Sequence, residues 1–536
     1  MTLASCTRPA GWNRRLRSGL ILLLPLCLLA FAPDAAAAAP RPNIILVMSD
    51  DQGWGDVGYN GNPVVRTPHL DAMAREALRL DRFYTGGTVC TPTRASCLTG
   101  RHPYRMGINW ATVYPLPASE VTLAEALKSA GYRTGHFGKW HLGELSRDEA
   151  AATRTPEIRQ AIYAPPWEHG FDVSFSNHGG PTYNPMYWGR DQSPGNRAIM
   201  NRPVAWGETD AIPGVRRSGL AFWTGPGQTD EQDLSGDSSK IIMDRALRFI
   251  ERQTEARTPF LAVVWLFTPH SPVAAGPLHR EPYRHLSLEA QHWYGCLTAM
   301  DEQIGRLRRH LRELGIADDT VVWFCSDNGP SWVLRELNSA GPFRGEKGLV
   351  YEGGVRVPGL LEWPARFREP RTVLAPLTTH DIYPTVLNWA GVPVARQPQP
   401  LDGLDVTPLL DGRLQERPEP IGFQSPVRQS LGRDWSKDPN HWRINPDPET
   451  HQLALTGNRF KIVSMDNGRT FALYDLLADP AESTDIAASH PDVVSAMRRR
   501  LLEWMRSCDE SRAALAHPSI DASGSGVPAP WVVRRE

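Results

Sequence analysis

The sequence predicts an α/β fold: a mainly parallel sheet flanked by helices, then a smaller C-terminal domain of short antiparallel strands and a helix. Two observations carry this expectation. Three near-continuous apolar runs each stop at polar residues, and segments with helical apolar spacing lie among them. Past residue 413 the pattern changes to short strand-like runs and a closing helical stretch.

The first run is NIILVMSDD, Asn43–Asp51. A run apolar at nearly every position suits a strand covered on both faces, as parallel strands are. FLAVVWLFTPH (Phe260–His270) and TVVWFCSDNG (Thr320–Gly329) read the same way. Among them, DSSKIIMDRALRFIERQ opens on a capping-type Asp237, and YGCLTAMDEQIGRLRRHLREL carries apolar residues at helical spacing. Strands alternating with helices imply a parallel sheet with helices on both faces, and in such sheets ligands bind beyond the carboxyl ends of the strands. Asp50 and Asp51, Asp327 and Asn328, and His270 therefore fall on one edge. Singly, an Asp-Asp or Asp-Asn-Gly after a strand is commonly a turn or a helix cap. Their joint placement argues for a site.

Residues 144–232 are rich in Gly, Pro and Trp, and read as long loops over that edge. GNRFKIVSMD and TFALYDLL read as short antiparallel strands, and PDVVSAMRRRLLEWMRS as the closing helix. The domain expectation is thus residues 1–39, 40–413 and 414–536.

Residues 1–39 read as a secretory signal. Arg8, Arg14, Arg15 and Arg17 precede a 13-residue apolar stretch, Leu20–Ala32, and a run of alanines. The stretch holds Pro25 and falls short of the roughly 20 residues of a membrane span. An uncleaved N-terminal anchor is the alternative; Leu26 argues against lipid attachment at Cys27. Removing residues 1–39 leaves 54 basic against 58 acidic residues, a formal charge of −4, and no basic run follows. That argues against a nucleic-acid partner. The expectation is an exported, periplasmic or secreted protein without stable membrane association. Five cysteines then remain, an odd number that does not make a disulfide scaffold.

One of them is Cys90, in CTPTRASCLTGR (Cys90–Arg101). Pro92 suits the first turn of a helix, with Thr91 as N-cap and Arg94 in the first turn. A helix N-terminus attracts anions, so the segment forms a cradle with Cys90 at its lip. A bond to Cys97 is disfavoured: seven helical residues rise about 10 Å, while a disulfide wants Cα atoms within about 7 Å. Cys97 reads as a small buried hydrophobe.

This stretch resembles the signature of the formylglycine-dependent (type I) sulfatases of the alkaline phosphatase superfamily, arylsulfatase- and N-acetylgalactosamine-6-sulfatase-like. Cys90, Pro92, Arg94, Leu98, Thr99, Gly100 and Arg101 fit it, and PNIILVMSDDQGWGD, GHFGKWHLG, TPHSP, CSDNGP, FRGEKGLVYEGGVRVP and LYDLLADPAESTD resemble family segments in the same order. The resemblance covers roughly residues 41–510 and is weakest between 144 and 232. It implies an alkaline-phosphatase-like fold and hydrolysis of sulfate esters. It also implies that a formylglycine-generating enzyme oxidises Cys90 to Cα-formylglycine, whose hydrate is the nucleophile. Carried over by position, Asp50, Asp51, Asp327 and Asn328 match metal ligands, with residue 90 adding an oxygen. Arg94 and Lys139 match the residues holding the hydrate, and His141 the one taking its proton. His270 and Lys347 match those contacting sulfate and the leaving oxygen. An all-oxygen set selects a hard cation, Ca2+ or alternatively Mg2+.

The expected substrate is a sulfated small molecule or glycan. Among the 18 tryptophans and the rim loops, Trp110, His178, Tyr183 and Trp188 are candidate substrate contacts. Two other functions fit the same residues: a phosphodiesterase or phosphonate hydrolase of the same superfamily, and a non-catalytic sulfated-glycan-binding protein.

Overall fold

Successive residues of the first apolar run go to two different cores. The computed structural model describes residues 41–111, 115–147, 160–185, 187–188, 216–217, 220–331, 337–394, 397–426 and 451–515. In it β1 (Asn43–Ser49) sends Ile44, Leu46 and Met48 into one apolar cluster and Ile45 and Val47 into another. Burial on both faces is why this strand shows no polar alternation.

Among the described residues the main sheet has ten strands. After β1 come β2 (Leu78–Leu80), β3 (Arg133–Lys139), β4 (Val173–Asn177), β5 (Phe222–Gly225) and β6 (Gln228–Asp230). They are followed by β7 (Phe260–Trp265), β8 (Thr320–Ser326), β9 (Gly359–Glu362) and β10 (Arg371–Val373). Their order is β6-β5-β4-β3-β7-β1-β8-β9-β2-β10. The central five, β4-β3-β7-β1-β8, are parallel; β5, β6 and β9 add antiparallel pairings at the margins. Register aligns Ser49 with Ser326 and Met48 with Trp265, itself opposite Gly138. The carboxyl ends of β1, β3, β7 and β8 therefore meet at one edge.

Helices cover both faces. α1 (Pro68–Glu76), α2 (Cys90–Thr99) and α3 (Leu123–Ser129) precede α4 (Ser238–Glu255), α5 (Leu288–Glu313) and α6 (Ile382–Ala390). α2, α3 and α6 pack on the Leu46 face, whereas α1, α4 and α5 pack on the Val47 face. Asp237 caps α4 as the sequence predicts, its carboxylate accepting from the Lys240 amide at 3.0 Å. No helix among the described residues is long and apolar enough to cross a membrane.

Two expectations need correction. The stretch 144–232 is not only loops: β4, β5 and β6 extend the main sheet. β4 hides from sequence because its middle residues, Ser174, Phe175 and Ser176, are buried partly through hydroxyl hydrogen bonds. Residues 189–215 of that stretch lie outside the described residues. The N-cap of α2 is Val89 rather than Thr91, so Cys90 is itself the first helical residue. Thr91 uses its hydroxyl elsewhere, donating to the His141 carbonyl at 3.0 Å.

Beyond the main sheet, β11 (Ile421–Ser425), β12 (Gln452–Thr456), β13 (Phe460–Ser464) and β14 (Ala472–Asp475) form an antiparallel meander. One face packs on α7 (Pro491–Ala513) through Leu455, Ile462, Leu473, Leu501 and Met505. The opposite face, with Phe423, Ala454 and Val463, packs on Leu349, Val350, Tyr351 and Tyr84.

Candidate active site

The site grows from the carboxyl ends of three strands and the start of α2. Asp50 and Asp51 follow β1, Asp327 and Asn328 follow β8, and Lys139 ends β3. Asp50, Asp51, Lys139, Asp327 and Asn328 are all at most 2% exposed. Gly138 permits the close approach of β3 to β7: its φ is +104°, and a Cβ there would lie 1.8 Å from the Trp265 carbonyl oxygen.

Each buried carboxylate has its own cation. Lys139 Nζ donates to Asp50 Oδ2 at 2.6 Å, and Lys347 Nζ to Asp51 Oδ1 at 2.5 Å. Arg94 donates through Nε and Nη2 to Asp327 Oδ2 at 3.1 and 2.6 Å, and through Nη1 to the Lys139 carbonyl at 3.2 Å. Three negative charges thus meet three positive ones. Burial favours the neutral form of each group, and pairing opposes it. For Lys347 the neighbouring Asp51 wins and the ammonium is held above its ordinary range. For Asp327, burial and the repulsion of Asp50 prevail over Arg94, pushing its carboxyl up to about 6.

The sequence-predicted residues do converge. One ligand atom each from Asp50, Asp51, Cys90 and His270 lies within 4.8 Å of the others. Asp327 and Asn328 join through Asp51: its amide donates to Asp327 Oδ1 at 3.0 Å, and Asn328 Nδ2 donates to Asp51 Oδ1 at 2.7 Å. His270 Nδ1 donates to the Ser271 carbonyl at 2.5 Å, and its Nε2 stands 3.8 Å from Asp51 Oδ2. Burial, then Lys139, push both His141 and His270 well below the ordinary histidine range, which favours the neutral imidazole at each. Burial also raises the Cys90 thiol to about 11.

These residues fit a divalent cation. Asp50 Oδ1 and Asn328 Oδ1 are buried oxygens with no hydrogen-bond partner among the described residues. Leaving such atoms unsatisfied is costly, and a hard cation would satisfy both.

A match to the Sulfatase family model extends over residues 42–392. The chain belongs to the sulfatase family. A second match, to the C-terminal region of N-sulphoglucosamine sulphohydrolase, covers residues 343–507. The sulfatase is 34% identical over 409 residues to arylsulfatase G of Rattus norvegicus, covering 72% of each chain. It is 30% identical over 513 residues to human arylsulfatase A, covering 88% of this chain and 89% of that one. Solved structures share its fold: Ps i-CgsB (24% identity, TM-score 0.67, covering 87% of this chain and 92% of that one), BT4656 in complex with its substrate D-glucosamine-2-N,6-O-disulfate (19%, 0.62, 88% and 98%), and the phosphonate monoester hydrolase of Agrobacterium radiobacter (20%, 0.58, 91% and 100%). Membership makes this sulfatase a sulfuric ester hydrolase of the alkaline phosphatase superfamily.

Its structure corrects one candidate substrate contact. Trp110 is 8% exposed and belongs to the core. His178 is half-exposed, with Nε2 2.9 Å from Glu144 Oε2. Tyr183 is half-buried in a short strand, and the Trp188 side chain lies outside the described residues. Sequence reasoning missed Ser49, Gln52 and Ser326: Ser49 Oγ donates to Gln52 Oε1 at 2.7 Å, and the Gln52 amide donates to Ser326 Oγ at 3.0 Å. It also missed the backbone strain at Asp51 and His141, whose φ values are +63° and +55°. Non-glycine residues held there cluster at functional sites.

Proposed function

We propose that the protein is an exported sulfatase that cleaves sulfate esters of a carbohydrate through a formylglycine at position 90 and a bound Ca2+, with Mg2+ as the second candidate. The basic-then-apolar order of residues 8–32 supports export. The carbohydrate reading draws on the relatives together with the exported character.

The observation that carries the mechanism is the three-pair charge balance around the first residue of α2. With Asp50, Asp51 and Asp327 matched by Lys139, Lys347 and Arg94, the protein alone presents no net charge to an anion. Asp50, Asp51, Asp327 and Asn328, with an oxygen at position 90, would hold the cation. Bound there, it would supply positive charge and Lewis acidity for the sulfate oxygens.

The chain's own groups account for the remaining chemistry. Cys90 is 1% exposed and its thiol is held neutral, which poorly suits a thiolate nucleophile. An aldehyde hydrate needs no thiolate. One hydrate hydroxyl attacks sulfur, forming an O–S bond as the ester S–O bond breaks; the proton it gives up goes to the leaving oxygen, beside Lys347, and the alcohol departs. His141 takes the proton of the other hydroxyl; that oxygen collapses to the aldehyde, and sulfate leaves. Lys347 and His270 flank the sulfate and the leaving oxygen, and Arg94 and Lys139 hold the hydrate. Because Cys90 is buried, the modifying enzyme must meet this segment before the domain closes.

Peptide mass spectrometry of residue 90 and parallel turnover of sulfate and phosphate esters test this reading. An aldehyde at 90 with sulfate esters preferred is expected. Full activity with an unmodified thiol refutes the mechanism. Preference for phosphate esters or phosphonates assigns the site to that chemistry, and an unmodified, inactive protein that binds sulfated glycans makes it a binding protein.

A further inference from the structure

The segment 344–355, which carries Lys347, is held from two sides. Towards the site, the Lys347 amide donates to the Pro330 carbonyl at 3.0 Å, and the Gly348 amide to the carbonyl of Thr88, two residues before Cys90, at 2.8 Å. Away from the site, the C-terminal meander and the turn after it supply a second set of polar contacts, beside the Tyr84 hydroxyl, which donates to Glu352 Oε2 at 2.8 Å. Ser425 Oγ, on β11, donates to the Gly348 carbonyl at 2.7 Å. Gln452, on β12, accepts from the Val350 amide at 3.1 Å and reaches the Gly348 carbonyl at 3.5 Å. Lys461, on β13, lies 2.9 Å from Glu352 Oε1 and 3.0 Å from Glu482 Oε1, and Glu482 Oε2 accepts from the Glu352 amide at 2.6 Å.

These groups are costly to bury. Ser425, Gln452, Lys461, Glu352 and Glu482 are all 0% exposed. A buried ion pair rarely adds net stability over an apolar replacement, whereas it does fix the geometry of what it joins. What it joins here is the segment bearing Lys347. The peptide unit of Gly348, next in chain, is clamped between Thr88 and Ser425. Gly353 and Gly354 let the segment fold tightly on itself: a Cβ on Gly354 would lie 2.0 Å from the Leu349 carbonyl oxygen.

We propose that the C-terminal meander sets the position of the Lys347 ammonium, with Ser425, Gln452 and Lys461 as positioning residues for sulfate-ester cleavage. The inference rests on the reading of Lys347 as a substrate contact, and its test separates the two. Gln452→Leu and the milder Ser425→Ala are assayed with a sulfate ester in the wild-type and Lys347→Ala backgrounds, with melting temperatures checking that each variant folds. Displacement of a catalytic group by about 1 Å costs on the order of 100-fold. Gln452→Leu is expected to lower kcat/KM by about 10- to 100-fold in the wild-type background, and by less than about 2-fold where Lys347 is already absent. Equal losses in both backgrounds overturn the proposal. A crystal structure of Gln452→Leu supplies a readout independent of turnover. Residues 344–352 unmoved overturns the proposal; Lys347 displaced with turnover unchanged keeps the meander as what sets the Lys347 position, but overturns its part in cleavage by refuting the role of Lys347 in the reaction.

Discussion

Replacing Lys347 by Met should tighten Ca2+ binding while lowering turnover. The Lys347 ammonium lies 2.5 Å from Asp51 Oδ1, with 8% of its side chain exposed. It therefore occupies the oxygen that a cation at this site would share, and repels that cation. At an effective dielectric constant near 20, two unit charges 4 Å apart interact by about 4 kcal/mol, and a divalent ion doubles this. Relaxation and protonation of Asp51 in the cation-free variant consume much of that gain. A residual of about 1.4 kcal/mol still makes binding about tenfold tighter. Without cation the variant should be less stable by about 3–5 kcal/mol, since Asp51 is left buried and unpaired. Saturation at 100 times Kd returns about 2.7 kcal/mol to either protein, and at equal Ca2+ the variant gains more. Calorimetric titration of chelator-stripped protein gives the affinity, melts in EGTA and in Ca2+ give the stability, and a sulfate-ester assay gives turnover. Unchanged or weaker Ca2+ affinity in Lys347→Met would refute the competition of lysine and cation for Asp51.

Cys90→Ala should abolish sulfate-ester turnover with little loss of stability, whereas Cys97→Ala, which opens a small cavity in the core, should keep most activity and lose about 1 kcal/mol. Both cysteines are free and buried, so similar destabilisation and similar residual activity in the two variants would contradict the assignment. Asp56 predicts a pH effect: burial raises its carboxyl from 3.8 to about 7 in the folded protein. Between those values the folded state keeps a proton that the unfolded chain releases, so its contribution to stability falls as pH rises through the window and is level above it. Denaturant midpoints from pH 4 to 8 should fall less steeply in Asp56→Asn; an identical or steeper slope would show that another group governs this range.

The legible part of the fold is the part whose burial is uniform. β1, β7 and β8 announce themselves because both faces are covered, leaving apolar residues at almost every position. β3 lies at the centre of the same sheet, yet its sequence, RTGHFGK, does not read as a strand. His136 fills core space between rings borrowed from elsewhere: Trp140, Trp265 and Phe171 lie 5.1, 5.2 and 5.4 Å from it. Its Nδ1 is 2.6 Å from Ser176 Oγ on β4, so two polar side chains pair out of water. Such cooperation between distant residues leaves no local pattern. β11 is equally illegible, with Gly422 packed under the Trp504 ring of α7.

At the site, residue types were legible from position and resemblance, but their pairing was not. Lys347 and Asp51 are 296 residues apart, and nothing near either assigns one to the other. Nor does the sequence show how two consecutive aspartates serve one centre. Neighbouring residues of an extended strand point to opposite faces, so an Asp-Asp pair continuing β1 would direct its carboxylates apart. The chain turns instead: Asp51 adopts φ +63°, and its amide donates to Asp327 Oδ1 at 3.0 Å. This swings the second carboxylate back, so that oxygens of Asp50 and Asp51 lie within 4.8 Å of each other. A left-handed residue with a Cβ costs roughly 1–2 kcal/mol. The hydrogen bonds that Asp51 makes to Asp327, Asn328 and Lys347 offset that strain. The groups that hold the strained turn are thus the ones that build the charge balance of the site, and removing any of them should loosen both together.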